Sequence, residues 1–263
     1  MQISLEGKKV VITGATGIVG RRITMAFAAE GASLFLAAKE ADSEIAQQAF
    51  EAGARDAQYL SVDLSDTDSL MELVGAIARV WPAPDVVVNN AGLYPMDPLL
   101  SMSVDKWDYL MAVNLRAPYL LTREFAKSMI NHGVHGSVIN ITSGAAFRAK
   151  VGHGHYSTSK AGLEMLTKSF ALELAPFQIR VNAVIPGFAP GSEGSPLPDD
   201  YIQKMAESIP LGRVSGESDA PDAILYLASQ QASFITGTTV CVDGGRSAGT
   251  LSANDRRHLA GDL

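Results

Sequence analysis

The chain is nearly without cysteine and has no long apolar run and no block of like charge. Cys241 is the single cysteine in 263 residues, so no disulfide can close within the chain and packing must hold the fold. It lies in the apolar stretch TTVCVDGG and reads as a small buried hydrophobe rather than a reactive thiol. No apolar stretch approaches the ~18 residues that cross a bilayer. The opening MQISLEGKKVVITG runs into a strand without the apolar core of a signal peptide. Lys and Arg number 21 against 28 Asp and Glu, a net charge of −7 with no basic cluster. Nucleic acid and membrane are therefore not expected as partners, and a cytoplasmic location is. His153 and His155 form an HxH without further Cys or carboxylate at ligand spacing, so no metal is expected. The pair is expected to line a substrate mouth or sit in solvent. His132 and His135 flank Gly133 at a helix end, where the helix dipole accounts for them.

What remains is an ordinary soluble composition, 47% hydrophobic and 19% charged. Short β-branched runs alternate with longer helical patterns. Strands are expected at 8–13, 33–38, 57–63, 85–92, 137–143, 179–185 and 238–243. Helices are expected after Gly17 up to Gly31, near 41–52, after Ser65 or Asp66, over 104–131 and over 156–175. The strands are continuously apolar rather than alternating, which implies burial on both faces and a parallel sheet covered by helices. The expected fold is an α/β, Rossmann-type doubly wound sheet of seven strands in one domain, residues 1–245. Residues 187–200, GFAPGSEGSPLPDD, read as a long loop. The segment 187–212 is the expected substrate loop, and 246–263 is a polar C-terminal tail.

Two stretches carry chemistry. The first strand runs directly into TGATGIVG, Thr13 to Gly20, and then a helix. Glycines let the backbone approach a pyrophosphate, and the helix N-terminus supplies free N–H groups. The second strand ends Ala37, Ala38, Lys39, Glu40. A carboxylate at the tip would accept ribose hydroxyls and repel a 2′-phosphate; neutral residues followed by Lys39 admit that phosphate, so NADP(H) is favoured over NAD(H). Further on, ITSGAAFRAKVGHGHYSTSK sets Ser143, Tyr156 and Lys160 thirteen and four residues apart. Tyr and Lys four apart share a helix face. An ammonium near a phenol favours the phenolate, so the Tyr156 pKa is expected below its ordinary ~10. Asn114 interrupts an apolar stripe of Trp107, Leu110, Met111, Leu115 and Pro118. Pro118 lacks an N–H, so a kink is expected there, with a freed inward carbonyl able to seat a water.

These residues, with Asp63, the run Asn89 to Gly92, RVN (180–182), Pro186 and Gly187, ITG (235–237) and VDGG (242–245), are collinear over residues 8–245. The set resembles the short-chain dehydrogenase/reductase family in its compact single-domain branch, and within it the 3-oxoacyl carrier-protein reductases. The resemblance implies reversible hydride transfer between a nicotinamide and a ketone or secondary alcohol. Tyr156 would be the general acid/base, Lys160 would hold the nicotinamide ribose, Ser143 would polarise the carbonyl, and Asn114 would complete a proton relay through water. Cofactor contacts would come from Gly14, Thr16, Gly17, Ile18, Val19, Lys39, Asp63, Leu64, Asn90, Ala91, Gly92, Tyr156, Lys160, Pro186, Gly187 and Phe188. Asp63 would meet the adenine amine, with a helix cap as its competing role, and Asn89 would partly stabilise the central strand. The glycines read TGxxGxxG, with Ile18 where the compact branch has Gly, and Gly191 stands where members often carry a nicotinamide-binding Thr. The substrate would be a small-molecule carbonyl or alcohol, contacted by candidates such as Tyr94, Met96 and Phe147. A 3-oxoacyl carrier reductase is the neighbouring alternative, with Arg123, Lys127, Arg148 and Lys150 as a docking patch. A non-catalytic dinucleotide sensor is the alternative of another class. Helices 104–131 and 156–175 resemble the family's dimer interface, implying a homotetramer or dimer.

Overall fold

The computed structural model describes residues 3–41, 44–191, 197–251 and 255. Along the chain lie β1 (Lys9–Thr13), α1 (Ile18–Ala29), β2 (Ser33–Ala38), α2 (Glu44–Glu51), β3 (Asp56–Ser61), α3 (Thr67–Val80) and β4 (Val86–Asn89). They are followed by α4 (Val104–Met111), α5 (Ala117–Asn131), β5 (Ser137–Ile141), α6 (Gly154–Leu174), β6 (Arg180–Pro186), α7 (Asp199–Glu207), α8 (Asp219–Ala228) and β7 (Thr239–Val242). The seven strands form one sheet in the order β3-β2-β1-β4-β5-β6-β7, every pair parallel.

Strand side chains alternate between faces, and this separates two cores. Val11, Phe35, Val87 and Val138 point to the side covered by α3, α5 and α6, where Leu73, Ile77, Phe125 and Phe170 meet them. Val10, Ile12, Leu34, Leu36 and Val88 point to the side of α1, α2 and α8, against Ile23, Phe27, Ile45 and Ile224. Both faces are therefore dry, as continuous apolar strands require. The strand order reverses between β1 and β4, which opens a crevice beyond their carboxyl ends.

Local signals set the helix ends. Asp66 caps α3 by accepting from the Ser69 amide at 2.8 Å. Gly31 closes α1 at a φ of 72°, a conformation that favours glycine. His132 sits at the C-cap of α5, its Nδ1 2.9 Å from the Ser128 carbonyl.

Four expectations need correction. The helical stretch at 104–131 is not regular: a π turn, Ala112–Arg116, separates α4 from α5. Pro118 lacks the donor an α-helical ladder needs there, and the added residue absorbs the misfit. The stretch read as loop contains α7, because the carboxylates Asp199 and Asp200 begin a helix whose last turn carries Lys204. The helix α8, absent from the sequence reading, makes the crossover between β6 and β7; Pro221 in its first turn is compatible with a helix start. Cys241 is exposed, since among the described residues β7 is an edge strand of the sheet. Most of the 246–263 tail lies outside the described residues.

Candidate active site

The crevice begins at the turn after β1. Gly14 adopts a φ of 63°, and an added Cβ there would lie 2.7 Å from the Ala91 Cα. Gly20 is tighter still, its Cβ falling 2.0 Å from the Gly14 carbonyl oxygen. The turn is thus packed between its own helix and the segment after β4. Asn90 fastens the two, donating through Nδ2 to the carbonyls of Thr13 at 3.0 Å and Gly14 at 2.9 Å. Thr13 Oγ1 accepts from the amides of Asn90 and Ala91 at 3.1 and 3.2 Å.

Gly17 stands at the N-cap of α1 without a side-chain cap, and the first turn carries no acidic residue. Nothing but the Gly14 carbonyl, at 3.5 Å, lies near a Cβ placed on Gly17. The helix start is therefore open and undefended by negative charge, which fits a pyrophosphate. Ile18 begins α1 directly, and Val19 packs on the core beneath.

The tip of β2 lies along the same edge. Thr16 donates to the Glu40 carboxylate at 2.9 Å. Lys39 pairs with Asp63 at 2.7 Å and with the Tyr109 hydroxyl at 3.2 Å. Asp63 does not cap α3; its Oδ1 organises the preceding turn through the Ser65 amide and hydroxyl at 2.9 and 2.6 Å. The Lys39 ammonium and these Ser65 donors hold the Asp63 carboxyl down to about 2. Leu64 beside it is buried. Asn89 is structural in its contacts, donating to Asn140 at 2.8 Å and Thr122 at 3.2 Å inside the sheet.

Deeper in the crevice, β5 delivers Ser143 and α6 delivers Tyr156 and Lys160. Ser143 has extended backbone, and its Oγ accepts from the Ala145 amide at 3.2 Å. The Lys160 Nζ donates to the Ile141 carbonyl at 2.8 Å and lies 6.0 Å from the Tyr156 ring centre. A Cβ on Gly92 would stand 3.3 Å from that Nζ and 3.6 Å from the Asn114 Oδ1. Gly92 thus gathers Lys160 and Asn114 around one point. Asn114 is fully buried at the π turn; its Oδ1 accepts from the Leu93 amide and its Nδ2 donates to the Leu93 carbonyl, both at 2.8 Å, and to Ser159 at 3.1 Å. The expected clustering of Asn114, Tyr156 and Lys160 is present, with Ser143 hydrogen-bonded to the phenol.

The electrostatics differ from the expectation. Burial dominates at Tyr156 and pushes the phenol above its ordinary value, opposed by the Ser143 hydrogen bond. Burial likewise brings Lys160 down to about 8, opposed by the nearby Glu164 carboxylate. At the phenol, desolvation outweighs the hydrogen bond from Ser143. The phenol is therefore protonated at neutral pH.

The rim completes the site. Pro186 ends β6, and a Cβ on Gly187 would press on the Val242 carbonyl at 3.0 Å. The Phe188 carbonyl accepts from Ser215 at 2.9 Å, and its ring meets Tyr201 edge-on at 6.0 Å. Tyr94, Met96 and Phe147 are exposed. His153 is half-buried with its ring 6.4 Å from that of Tyr156, whereas His155 is fully buried rather than in solvent. Sequence reasoning missed Tyr109, Ser159, Arg22 and Glu164. Arg22 ties α1 to the carbonyls of Ser215 and Gly216 at 3.2 and 3.0 Å. Glu164, buried one turn beyond Lys160, accepts from Thr239 of β7. Ser159 carries a sequence signal, three residues after Tyr156 on the same helix. Tyr109 carries none, since it reaches Lys39 across 70 residues.

Comparison with known proteins agrees with this geometry. The family model described as enoyl-(acyl carrier protein) reductase matches residues 14–247. The 3-oxoacyl-[acyl-carrier-protein] reductase FabG of Aquifex aeolicus strain VF5 is 34% identical over 93% of this chain and 99% of its own length. The human (3R)-3-hydroxyacyl-CoA dehydrogenase is 33% identical over 93% of this chain and 97% of its own. A crystal structure from Beutenbergia cavernae, with NADP bound at low occupancy, superposes with a TM-score of 0.86 at 30% identity, covering 94% of this chain and 99% of that one. An uncapped helix start on a glycine turn, a reversed strand order and a Ser, Tyr, Lys and Asn cluster in the resulting crevice thus meet in one chain: it belongs to the short-chain dehydrogenase/reductase family and is a nicotinamide-dependent oxidoreductase acting between alcohol and carbonyl.

Proposed function

We propose that the chain is an NADP(H)-preferring reductase of small-molecule ketones, working in the cytoplasm, with Asn114, Ser143, Tyr156 and Lys160 as its proton-handling residues. The clustering of those four side chains at one end of the crevice carries this reading. A bound nicotinamide dinucleotide supplies the hydride chemistry. The residues' own work is with the oxygen. Ser143 hydrogen-bonds the carbonyl oxygen and polarises it. Tyr156, protonated at rest, gives its proton to that oxygen as charge develops. Lys160 holds the nicotinamide ribose and stabilises the phenolate left behind, and Asn114 keeps the π turn in place so that water can resupply the proton.

The cofactor side rests on the residues gathered along the crevice. Gly14, Thr16, Gly17, Ile18 and Val19 form the pyrophosphate cradle, and Asp63, Leu64, Asn90, Ala91 and Gly92 its adenosine wall. Pro186, Gly187 and Phe188 meet the nicotinamide end. Preference for NADP(H) is supported by the neutral Ala38 followed by the cationic Lys39. The domain spans residues 1–245, with 187–212, including α7, as the substrate loop.

Reduction of a 3-oxoacyl thioester is the second reading, favoured by the names of the relatives. Of the four basic residues expected to dock an acidic carrier, Arg123 and Lys127 already share Glu124 at 2.6 and 3.1 Å. Arg148 and Lys150 are exposed beyond Ser143, and exposed pairs such as those at Glu124 are weak, so the acyl-thioester arm of the screen decides between the two readings.

The test is a screen of NADPH and NADH oxidation over ketone classes, acyl thioesters included. Tyr156→Phe should lower kcat on every active substrate by about 10²- to 10⁴-fold while dinucleotide binding persists. If that variant kept full activity, the catalytic assignment of Tyr156 would fail, and if the parent bound dinucleotide but oxidised neither NADPH nor NADH with any substrate, a sensing role would replace the enzyme reading.

A further inference from the structure

Lys160, Glu164 and Asp243 are the Asp, Glu, Lys and Arg side chains buried among the described residues, at 4%, 6% and 8% exposure. Charged groups are seldom buried unless paired. Asp243 meets that condition within its own turn, accepting from the amides of Gly245 and Ser247 at 3.1 and 2.8 Å and from the Ser247 hydroxyl. Glu164 does not. One of its carboxylate oxygens accepts from Thr239 of β7, and the other, Oε1, is buried without a hydrogen-bond partner among the described residues. The Thr239 bond by itself gives no reason for a charge, since a glutamine carbonyl could accept it without desolvating an anion. The buried cation, Lys160, stands one turn earlier on α6, where side chains four apart share a face. Its Nζ is drawn to the Ile141 carbonyl at 2.8 Å. The attraction between the two charges therefore acts through the dry interior, where screening is poor, rather than through a shared hydrogen bond.

We propose that Glu164 is a positioning residue for the proton-handling cluster: its buried carboxylate keeps Lys160 an ammonium and so sets how far into alkali ketone reduction runs. The inference rests on the catalytic reading above, in which Lys160 works as a cation. Burial draws the proton off Lys160, and the Glu164 charge opposes it. Without that carboxylate the ammonium is lost at lower pH, and the phenolate left by Tyr156 faces a neutral amine. The other ionisable groups around α6 do not take its place. Tyr94 and Tyr156 interact on the crevice side, and His153 and His155 precede Tyr156 on the chain. On β7, Cys241 senses both Glu164 and Asp243, and Asp243 is committed to its own turn. On β6, Arg180 is held by the carbonyls of Ser229 and Ile235 at 3.2 and 3.4 Å. Arg116 of the π turn reaches the Ser65 carbonyl, Lys106 of α4 pairs with Asp97, and Arg123 and Lys127 of α5 pair with Glu124. Asp108 of α4 and Lys168 of α6 itself are exposed.

Glu164→Gln keeps the shape and the bond to Thr239 and removes the charge. Thermal melts of the full chain at pH 7 compare this substitution in the parent and in a Lys160→Met background. In the parent it should lower Tm by about 2–5 °C, because an ammonium is left buried without its counter-charge. In Lys160→Met it should raise Tm, because the carboxylate it removes is then the unpaired group. A Glu164 that only ties α6 to β7 would shift Tm in the same direction and by the same amount in both backgrounds, and that result overturns the proposal. Kinetics test the catalytic half. On a ketone found by the screen, the alkaline limb of kcat should lie about one pH unit lower in Glu164→Gln than in the parent, with KM for the ketone unchanged. An unmoved limb, in an enzyme that Tyr156→Phe inactivates, overturns the positioning role and leaves the catalytic reading standing. If Tyr156→Phe is fully active, the catalytic reading fails and takes the positioning role with it.

Discussion

Lys160 shows how a side chain can be placed against its own solvation. Its ordinary value of 10.5 falls to about 8 because burial penalises the cation. Between those two values the unfolded chain binds more protons than the folded one, so stability rises with pH across that window. Below about 8 the penalty is fully present. Lys160→Met should therefore melt higher than the parent at pH 7, despite losing the bond to Ile141, and the advantage should shrink as pH climbs toward 10.5. Thermal melts of the two proteins at several pH values check this. The same burial fixes the pH–rate profile. With the Tyr156 phenol held above its ordinary value, ketone reduction should stay level through neutrality and fall only in alkali. Alcohol oxidation, which needs the phenolate, should keep rising. At this scale the sequence was eloquent about identity and silent about charge. The spacing of Ser143, Tyr156 and Lys160 placed them together, whereas the sign of the Tyr156 shift depended on burial, which no spacing encodes.

At the scale of elements, the glycine turn and α1 divide two tasks between two glycines. Gly20 lets the helix close onto the turn, and a Cβ there would lie 2.0 Å from a backbone oxygen. Gly17 leaves the helix start open, with no atom nearer than 3.5 Å to an added Cβ. Gly20→Ala should cost on the order of 3 kcal/mol and lower Tm by several degrees. Gly17→Ala should leave Tm almost unchanged and weaken dinucleotide binding about tenfold, because the methyl group intrudes where the pyrophosphate must approach. Melting curves and binding isotherms on the two variants distinguish these roles. The turn, the strands and the kink near Asn114 were all legible, because each has a local cause in Gly, in a β-branched run or in Pro118. The helices α7 and α8 were not, because a Pro- and Gly-rich approach masks them; α8 takes its apolar face from packing on β5, β6 and β7, and α7 buries none of its residues. The exposure of Cys241 was hidden for a related reason: an apolar strand reads the same whether it is central or at an edge.

At the scale of the molecule, the face shared by α4, α5 and α6 bears a shallow groove of about 740 Å³ lined by Met111, Leu115, Tyr119, Gly162, Met165 and Leu166. Gly162 lets the helices close, a Cβ there meeting Leu115 at 3.0 Å. Met165 is 62% exposed in a single chain. The homotetramer or dimer that the family resemblance implies would seat a second copy of the chain on this face, since a two-fold interface uses the same patch on both subunits. Met165→Glu would bring two carboxylates toward that axis, and sedimentation should show the assembly shifted to smaller species at micromolar concentration. A parent that sediments as a fully active monomer would refute the assignment.

The strand order has a consequence for the ribosome. β2 pairs with β1 and β3 with β2, so the sheet first grows in one direction; β4 then returns to β1, and β5, β6 and β7 follow outward on the other side. Every strand after the first therefore meets a neighbour that has already been synthesised. Because chains begin folding from the N-terminal end during synthesis, this sheet can be laid down in the order of translation, each new strand docking on one already made. The open flank of β1 is exposed longest among the inner strands, from the making of β1 through β2 and β3 until β4 arrives.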